Sequence, residues 1–383
     1  MSTFSPLAGW LCAYIADPTH EPGPPASWDQ AVVLAETEGL AAALALRLER
    51  HPAGAIPPAV AARLPARFKE ALARHVVMSR DLAALLRALA GESIPVIPLK
   101  GAFLAETVYP HPAARPMSDV DVLVRETDRL RADEVLRGLG YRPGTDAHSW
   151  AFDVAYDAAA FYDGPGGARV DVHWRLINDP RYAWNHAEAD AVWDRAVPVT
   201  LAGEPALALA PEDLVLSLAA HLAIHHGLSG LLWYWDLKLV LDRWAATLDA
   251  DALVARAERW RVRRALHFVL RRLGELFAVP DIVGITAARL VPHGPRAASV
   301  RWLIAHREDR LRGFEHVLPL LLTDRFADLL SALRLSIFPS PSWLRARYGA
   351  DSVSLPRAYL AHGARMADVL RVTARGIRSY RAR

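Results

Sequence analysis

Hydrophobic residues in the first ninety positions recur at the three-to-four spacing of helices that bury one face. The spacing predicts helices over residues 28–50 and 63–90, separated by a proline-containing loop. The same pattern returns at Pro211, where a proline and two acidic residues are typical of a helix start. Helices are predicted from there onward, so we expect a helical region on either side of the middle of the chain.

The middle of the chain carries the shorter patterns of β-strands. Residues 118–124 alternate strictly between polar and apolar side chains, which predicts a strand. Residues 152–156 and 168–174 flank a turn of glycine and proline at 163–167, which predicts a hairpin. Residues 94–99 form a short β-branched run whose two prolines favour an edge strand, or one that starts at the first proline.

Helices are predicted between these strands, over residues 102–109 and 127–139. Strands mixed with helices over roughly a hundred residues indicate an α/β or α+β core. We expect the α+β class, with a small mixed β-sheet core flanked by N-terminal and C-terminal helical regions. The expected division falls at residues 1–90, 91–205 and 206–383.

The composition is that of a globular protein, with 52% apolar and 23% charged residues. This balance excludes a disordered or collagen-like chain. Basic residues number 45 and acidic residues 42, so nucleic acid stays open as a partner but the net charge does not indicate it. Only three of the basic residues are lysines, which makes Lys100 more informative than an arginine would be.

The single cysteine, Cys12, excludes an internal disulfide and a cysteine-based metal site, and it fits a reducing cytoplasm. The first residues lack the features of a signal peptide. Residues 214–235 carry no acidic or basic residue other than histidine, but glycines interrupt them. We expect two buried helical segments with a bend there, and no membrane association. Residues 365–383 are rich in arginine and favour a solvated helix end over a phosphate contact.

Two carboxylates lie on one face of the strand predicted at 118–124. Asp119 and Asp121 are two residues apart, so both project away from the core in which Val120 and Val122 pack. Like charges ~4 Å apart repel by about 4 kcal/mol at an effective dielectric constant of about 20. A cation such as Mg²⁺ would relieve this repulsion, whereas the plainer interpretation is a solvent-facing strand with two unrelated acids.

Two further features add to this pair. Lys100 and Gly101 stand where the first strand gives way to a helix, a place suited to an anion, although an ordinary turn would have the same residues. On the strand at 168–174, Asp171 shares one face with Arg169 and His173. Asp171 can therefore point toward the earlier carboxylates from a neighbouring strand, as two-metal phosphoryl transfer requires.

These residues carry a resemblance to a known family. The chain resembles the uncharacterised bacterial nucleotidyltransferase family, within the DNA polymerase β-like superfamily. The resemblance lies in the order of a Lys-Gly turn, a D-x-D strand, a D-x-H-W strand and a histidine-containing helix. The matching positions are Leu99, Lys100, Gly101, Tyr109, Arg115, residues 118–124, Asp171, His173, Trp174 and residues 220–226. The resemblance covers roughly residues 30–350 and departs from the superfamily where the usual Gly-Ser is Lys-Gly.

The resemblance implies that residues 91–205 are a nucleotidyltransferase core. It implies transfer of an NMP group from an NTP to a hydroxyl-bearing acceptor, with Mg²⁺ or Mn²⁺ as cofactor. The acceptor class stays open between a small molecule, a peptide or protein, and tRNA. Asp119 and Asp121 would hold the metals, and Asp171 would complete the catalytic metal site and help to deprotonate the acceptor. The nucleotide would be bound by Lys100, Gly101, Arg115 and Ser118.

The histidines of residues 220–226 suggest a second kind of site, one that binds zinc. His221 and His225 are four residues apart on one predicted helix face, a spacing found in zinc sites, but no cysteine or HExxH motif accompanies them. Packing beneath the cleft or contact with the acceptor is favoured for these two. His173 and Asp236 are likewise expected either to contact the acceptor or to support the site from behind the metal ligands. Two other functions stay open: a non-catalytic nucleotide sensor on the same fold, and a hydrolase with a histidine-bound metal.

Overall fold

Helices flank a small mixed sheet, so the protein has the α+β fold that the hydrophobic pattern predicts. The structure is a computed structural model that describes residues 4–17, 23–49, 57–145, 149–150, 152–153, 157–177, 189–305, 317–348 and 354–381. The helices in these residues are α1 (Pro6–Ala16), α2 (Trp28–Thr37), α3 (Ala41–Leu48), α4 (Pro58–Gly91), α5 (Lys100–Thr107), α6 (Arg129–Gly138), α7 (Ala189–Arg195), α8 (Pro211–Ala220), α9 (Leu231–Trp244), α10 (Ala250–Arg259), α11 (Arg263–Leu276), α12 (Asp281–Arg289), α13 (Pro295–Ala305), α14 (Leu318–Leu322), α15 (Phe326–Ile337), α16 (Pro341–Tyr348) and α17 (Leu355–Arg381).

The central sheet has five strands in the order β1-β2-β5-β4-β3, and two more strands form a separate hairpin. The strands are β1 (Ile97–Pro98), β2 (Val120–Leu123), β3 (Arg142–Pro143), β4 (Ala159–Asp163), β5 (Arg169–His173), β6 (Val197–Leu201) and β7 (Glu204–Ala208). β2 and β5 run parallel, and the other neighbours in the sheet are antiparallel. The proline-containing β1 lies at the edge of the described sheet, as predicted.

The helix predicted over residues 28–50 is divided into α2 and α3 at Gly39. Gly39 has a φ of +73°, a conformation that glycine adopts without strain. A Cβ at this position would lie 3.1 Å from Leu232 Cδ2, so α9 packs closely against the break. The helix predicted from residue 63 begins earlier, at Pro58, because proline is favoured in the first turn of a helix.

The strand predicted over residues 152–156 is wrong. Phe152 and Asp153 are helical, and residues 154–156 lie outside the described part of the chain. The strand that pairs with β5 is β4, which ends at the turn itself. The Gly164 N–H donates to the Ala168 carbonyl at 2.8 Å and closes that turn, so the antiparallel partner is the segment directly before it. Phe152 instead packs edge-to-face against Trp343.

The hairpin of β6 and β7 was not predicted from the sequence. Ala202 and Gly203 connect its strands with φ angles of +50° and +79°, as in a two-residue turn with both central residues left-handed. The alternating apolar residues Val197, Val199 and Leu201 before this turn are the sequence signal of its first strand. The Leu207 N–H donates to the Val96 carbonyl at 3.0 Å, which holds the hairpin beside the start of β1.

A continuous hydrophobic core joins the sheet to helices on both sides of it in the sequence. Residues 214–235 divide between α8 and α9, with a bend at Gly227 and Gly230, as the glycines predict. No helix in the described residues is both long enough and apolar enough to cross a membrane. Because the core is continuous, the expected division at residues 90 and 205 stays a prediction.

Candidate active site

Two aspartates from different strands face each other across the parallel pair β2 and β5. The strand register places Asp121 opposite Asp171. One ligand atom from each of Asp121, Asp171 and His173 lies within 4.8 Å of the other two. Val120 and Val172 are buried on the other face, because successive side chains of a strand alternate. The fold therefore brings together polar residues that are 50 or more positions apart in the chain.

Asp121 is the centre of this cluster. Its Oδ1 accepts a hydrogen bond from Lys100 Nζ at 2.7 Å and lies 2.8 Å from His173 Nε2. Burial by itself would raise the pKa of Asp121, but the Lys100 ammonium and the His173 imidazole outweigh it and hold that pKa well below its ordinary value. Asp121 is therefore a stable carboxylate at neutral pH, with its charge balanced by Lys100.

Lys100 reaches Asp121 from a strained backbone position. Its φ is +45°, in the left-handed region that costs a residue with a side chain roughly 1–2 kcal/mol. The Leu99 N–H donates to the Asp121 carbonyl at 2.9 Å, which ties the start of α5 to β2. Strain held in place beside a buried carboxylate is typical of functional sites. The ammonium has Asp121 as its partner, and the predicted contact of Lys100 with a nucleotide stays a prediction.

Asp119 stands beside the cluster but is outside the group of three ligand residues. Its Oδ1 accepts a hydrogen bond from the Ser118 hydroxyl at 3.0 Å. Burial and the nearby charge of Asp121 raise the pKa of Asp119. Burial also raises the pKa of Asp171, and the charges of Asp121 and Asp119 add to that effect. The three carboxylates thus interact electrostatically, with Asp121 the most acidic of them.

Arg115 and Asp236 form a buried ion pair next to this cluster. Arg115 Nε donates to Asp236 Oδ1 at 2.8 Å, and Nη2 donates to Oδ2 at 2.9 Å. The Tyr109 hydroxyl donates to the same Oδ1 at 2.6 Å. Burial opposes the charge of Arg115, but attraction to Asp236 nevertheless raises its pKa. Asp236 therefore holds the guanidinium in place, and nucleotide binding by Arg115 stays a prediction.

Gly101 is explained by close packing. A Cβ on this residue would lie 2.8 Å from Met117 Cγ and 3.3 Å from Arg115 Nη1. A side chain at this position would therefore require the Met117 side chain to shift. The sequence interpretation gave Gly101 a contact with the nucleotide, which stays a prediction.

The segment that carries the clustered histidines is a π-helix, not an α-helix. It runs over His221–His225, and its wide turn brings residue i beside residue i+5. His221 Nε2 lies 3.0 Å from His226 Nε2, whereas the ring centroids of His221 and His225 are 5.2 Å apart. The hydrogen-bonded pair is therefore His221 with His226, five residues apart, whereas His225 contacts the His221 ring at a tilted angle.

His221 and His226 form a packed pair whose buried imidazoles stay neutral at pH 7. Burial, with the charge of Lys100, lowers the pKa of His221 far below its ordinary value, and burial with His225 lowers that of His226 to about 4. Two neutral imidazoles can share one N–H hydrogen bond. His226 also stacks on Trp233 with ring centroids 4.3 Å apart. In the described residues, no group of three metal ligands includes these histidines.

A divalent cation fits the cluster of Asp121, Asp171 and His173. Two carboxylates and one imidazole are a donor set that suits Mn²⁺ and, through the carboxylate oxygens, Mg²⁺. His173 Nδ1 is buried and has no hydrogen-bond partner within the described residues, so the ring is held through its Nε2 side. The identity of an ion stays a prediction, and Lys100 would compete with it for Asp121.

A cleft of about 1070 Å³ opens beside these residues. Its lining includes Lys100, Ser118, Asp119 and Asp121, together with one face of α4. The sequence interpretation assigned no functional residue to α4. Its polar residues have the spacing of any solvated helix face, which carries no signal of a ligand. The residues of α4 that line the cleft are Arg67, Glu70, Ala71, Ala73, Arg74, Val77 and Met78.

Comparison with known proteins found one family. The model of a family described as uncharacterised nucleotidyltransferase matches residues 24–278, which is more than half of the 383-residue chain. The matched region extends from α2 to the segment after α11 and contains β1 to β7. No curated protein and no solved structure matched.

Proposed function

The chain belongs to the family of uncharacterised nucleotidyltransferases, and on that premise we propose that it transfers an NMP group from an NTP to a hydroxyl-bearing acceptor. The observation that carries the proposal is the parallel register of Asp121 and Asp171, with His173 beside them. Carboxylates on neighbouring strands are the arrangement that metal-assisted phosphoryl transfer uses. Asp119, outside that group, would add a third carboxylate to the site.

Each residue has a proposed part in the reaction. Asp121, Asp171 and His173 would hold the metal, which supplies charge neutralisation at the transferred phosphoryl group. Asp171 would also accept the proton of the attacking hydroxyl. The new bond joins the acceptor oxygen to the α-phosphorus. The bond from the α-phosphorus to the bridging oxygen breaks, and pyrophosphate leaves with its electron pair.

The acceptor class is proposed only at the level of a hydroxyl group. A small molecule, a peptide or protein, and tRNA all offer one. The cleft volume of about 1070 Å³ exceeds what one NTP needs, so part of an acceptor would fit with the nucleotide. The near balance of 45 basic and 42 acidic residues does not favour nucleic acid over the other two.

The direct test is transfer of label. The protein is incubated with each of the four NTPs labelled at the α-phosphate, with Mg²⁺ or Mn²⁺, and with cell lysate as the source of acceptors. Label on a discrete product, absent with Asp121→Asn, supports the proposal. Saturable NTP binding without transfer from any NTP would contradict it and favour a nucleotide sensor.

We expect Asp171→Ala to lower kcat by at least about a hundredfold, or ~2.7 kcal/mol, with a much smaller change in NTP affinity. Asp171 comes from β5, whereas Asp119 and Asp121 come from one segment at β2. A carboxylate that acts on the attacking hydroxyl matters mainly in the transition state. Single-turnover kinetics and NTP titration of the same preparation measure the two quantities separately.

His173→Ala is the comparison variant, because His173 shares the strand face of Asp171 and contacts Asp121. We expect a smaller loss of kcat from it than from Asp171→Ala. If Asp171→Ala turns over normally and His173→Ala is inactive, a histidine base replaces the carboxylate in the mechanism. Thermal unfolding of both variants checks that a loss of rate is not a loss of fold.

A further inference from the structure

The cleft has four basic side chains in its lining, and three of them are already paired with carboxylates. Lys100 is bound to Asp121 at 2.7 Å, and Arg115 is bound to Asp236 at 2.8 Å. The third is Arg67, which donates to Glu36 at 3.0 Å and to Glu70 at 2.9 Å. These three cations therefore have their charge balanced before any substrate arrives.

Arg74 is the fourth. It is exposed, it lines the cleft, and it has no hydrogen bond or ion pair with any residue that the structure describes. It lies seven positions after Arg67, two turns along the same face of α4. The neighbouring lining residues Ala71 and Ala73 are small and carry no charge that could pair with the guanidinium.

The acidic residues in this part of the cleft do not balance Arg74. Glu36 and Glu70 are the acidic lining residues on α2 and α4. Glu36 is held by both Arg63 and Arg67, and Glu70 is held by Arg67. Among the described lining residues of α2 and α4, Arg74 is thus the charge without an opposite charge beside it. An unbalanced positive charge of this kind attracts an anionic ligand.

We propose that Arg74 binds the β- and γ-phosphates of the NTP, so that α4 forms one wall of the nucleotide site. This rests on the proposed nucleotidyl transfer, and it names the part of the substrate that α4 recognises. A guanidinium offers phosphate oxygens two parallel hydrogen bonds and keeps its charge at any working pH. The same contact would hold the pyrophosphate that leaves after transfer.

Inorganic pyrophosphate is the probe, because every NTP releases the same pyrophosphate whatever its base. Calorimetric titration at fixed Mg²⁺ compares the wild type with Arg74→Ala. We expect the Kd for pyrophosphate to rise by about tenfold or more, the size of one lost charge-assisted contact. The Kd for nucleoside monophosphates, which lack the β- and γ-phosphates, should change less than about twofold.

Two further variants separate this contact from a general effect on charge or folding. Arg74→Lys keeps the positive charge but cannot donate two parallel hydrogen bonds, so we expect its affinity for pyrophosphate to lie between those of Arg74→Ala and the wild type. Arg80→Ala removes an exposed arginine of the same helix that is outside the cleft lining, so we expect no change. Alanine is a better helix former than arginine, so both alanine variants should keep α4 folded.

Equal pyrophosphate affinity in the wild type and Arg74→Ala would overturn the proposal, whether or not the protein transfers NMP. A change confined to the KM of the acceptor would also overturn the proposal, because Arg74 would then bind the acceptor and not the phosphates of the NTP. If Arg74 governs pyrophosphate binding but the wild type transfers no NMP from any NTP, the subsite stands and nucleotidyl transfer fails.

Discussion

Asp121→Asn should lower the rate of NMP transfer by at least about a thousandfold, equivalent to ~4 kcal/mol in the barrier. Asp121 contacts Lys100 and His173 through one oxygen and faces Asp171 across the strand pair. Asparagine keeps the shape and one carbonyl oxygen but removes the charge that a cation requires. Transfer of labelled NMP measures the rate, and titration with Mn²⁺ measures the loss of the metal site.

The matched control is Asp163→Asn, which removes an exposed carboxylate of β4 that pairs with Arg169, and neither residue lines the cleft. It should leave transfer unchanged. Retention of more than about a tenth of the wild-type rate by Asp121→Asn, a difference of ~1.4 kcal/mol or less, would remove Asp121 from the metal site.

Asp121→Asn should also lower the stability of the fold. The sequence alone suggests that removal of one of two crowded carboxylates relieves repulsion. In the structure Lys100 already balances Asp121, so the substitution loses a charge-assisted hydrogen bond and leaves the ammonium without its partner. We therefore expect a loss of about 1–3 kcal/mol in the free energy of unfolding.

Asp236→Ala should destabilise the fold by about 3–5 kcal/mol, because it leaves the Arg115 charge buried without a counter-ion. The pair is bidentate, both residues are buried, and the Tyr109 hydroxyl also loses its acceptor. Denaturant unfolding followed by circular dichroism gives the free energy directly.

Asp242→Ala is the matched control on the same helix, α9. Asp242 is exposed but pairs with the mostly buried Lys238, whose flexible stem can carry its ammonium toward solvent, so the loss of Asp242 should cost about 1–2 kcal/mol, less than the loss of Asp236. The double variant Arg115→Met with Asp236→Leu should lose less stability than the two single losses added together, because it leaves no unpaired buried charge. An Asp236→Ala protein as stable as the Asp242→Ala protein would contradict a structural role for the pair.

The sequence by itself determined which face of each strand is polar. The side-chain period of two fixes Asp121 on one face of β2, and Asp171 with His173 on one face of β5, whatever the rest of the fold does. The prolines of β1 and the glycines at 227 and 230 also determined local features, an edge strand and a bend between helices. These are properties of a few consecutive residues, so one sequence is enough to predict them.

Two other features are equally local but could not be predicted, because their residue patterns fit more than one structure. Residues 152–156 and 159–163 are both apolar segments before one turn, and only the hydrogen bond from Gly164 to Ala168 selects the second as the partner of β5. The histidine segment has an ordinary helical pattern, and the pairing of His221 with His226 depends on a π-helical turn that this pattern does not distinguish from an α-helical one.

The tertiary structure decided how distant segments combine. Asp121 and Asp171 meet because β2 and β5 pair in parallel at one register, and periodicity carries no information about register between strands. Asp236 neutralises Arg115 from 121 positions away in the chain, and α4 brings Arg74 to the cleft. Such contacts depend on which faces of separate elements pack together, which is decided by the burial of the whole core and not by the spacing of residues within any one element.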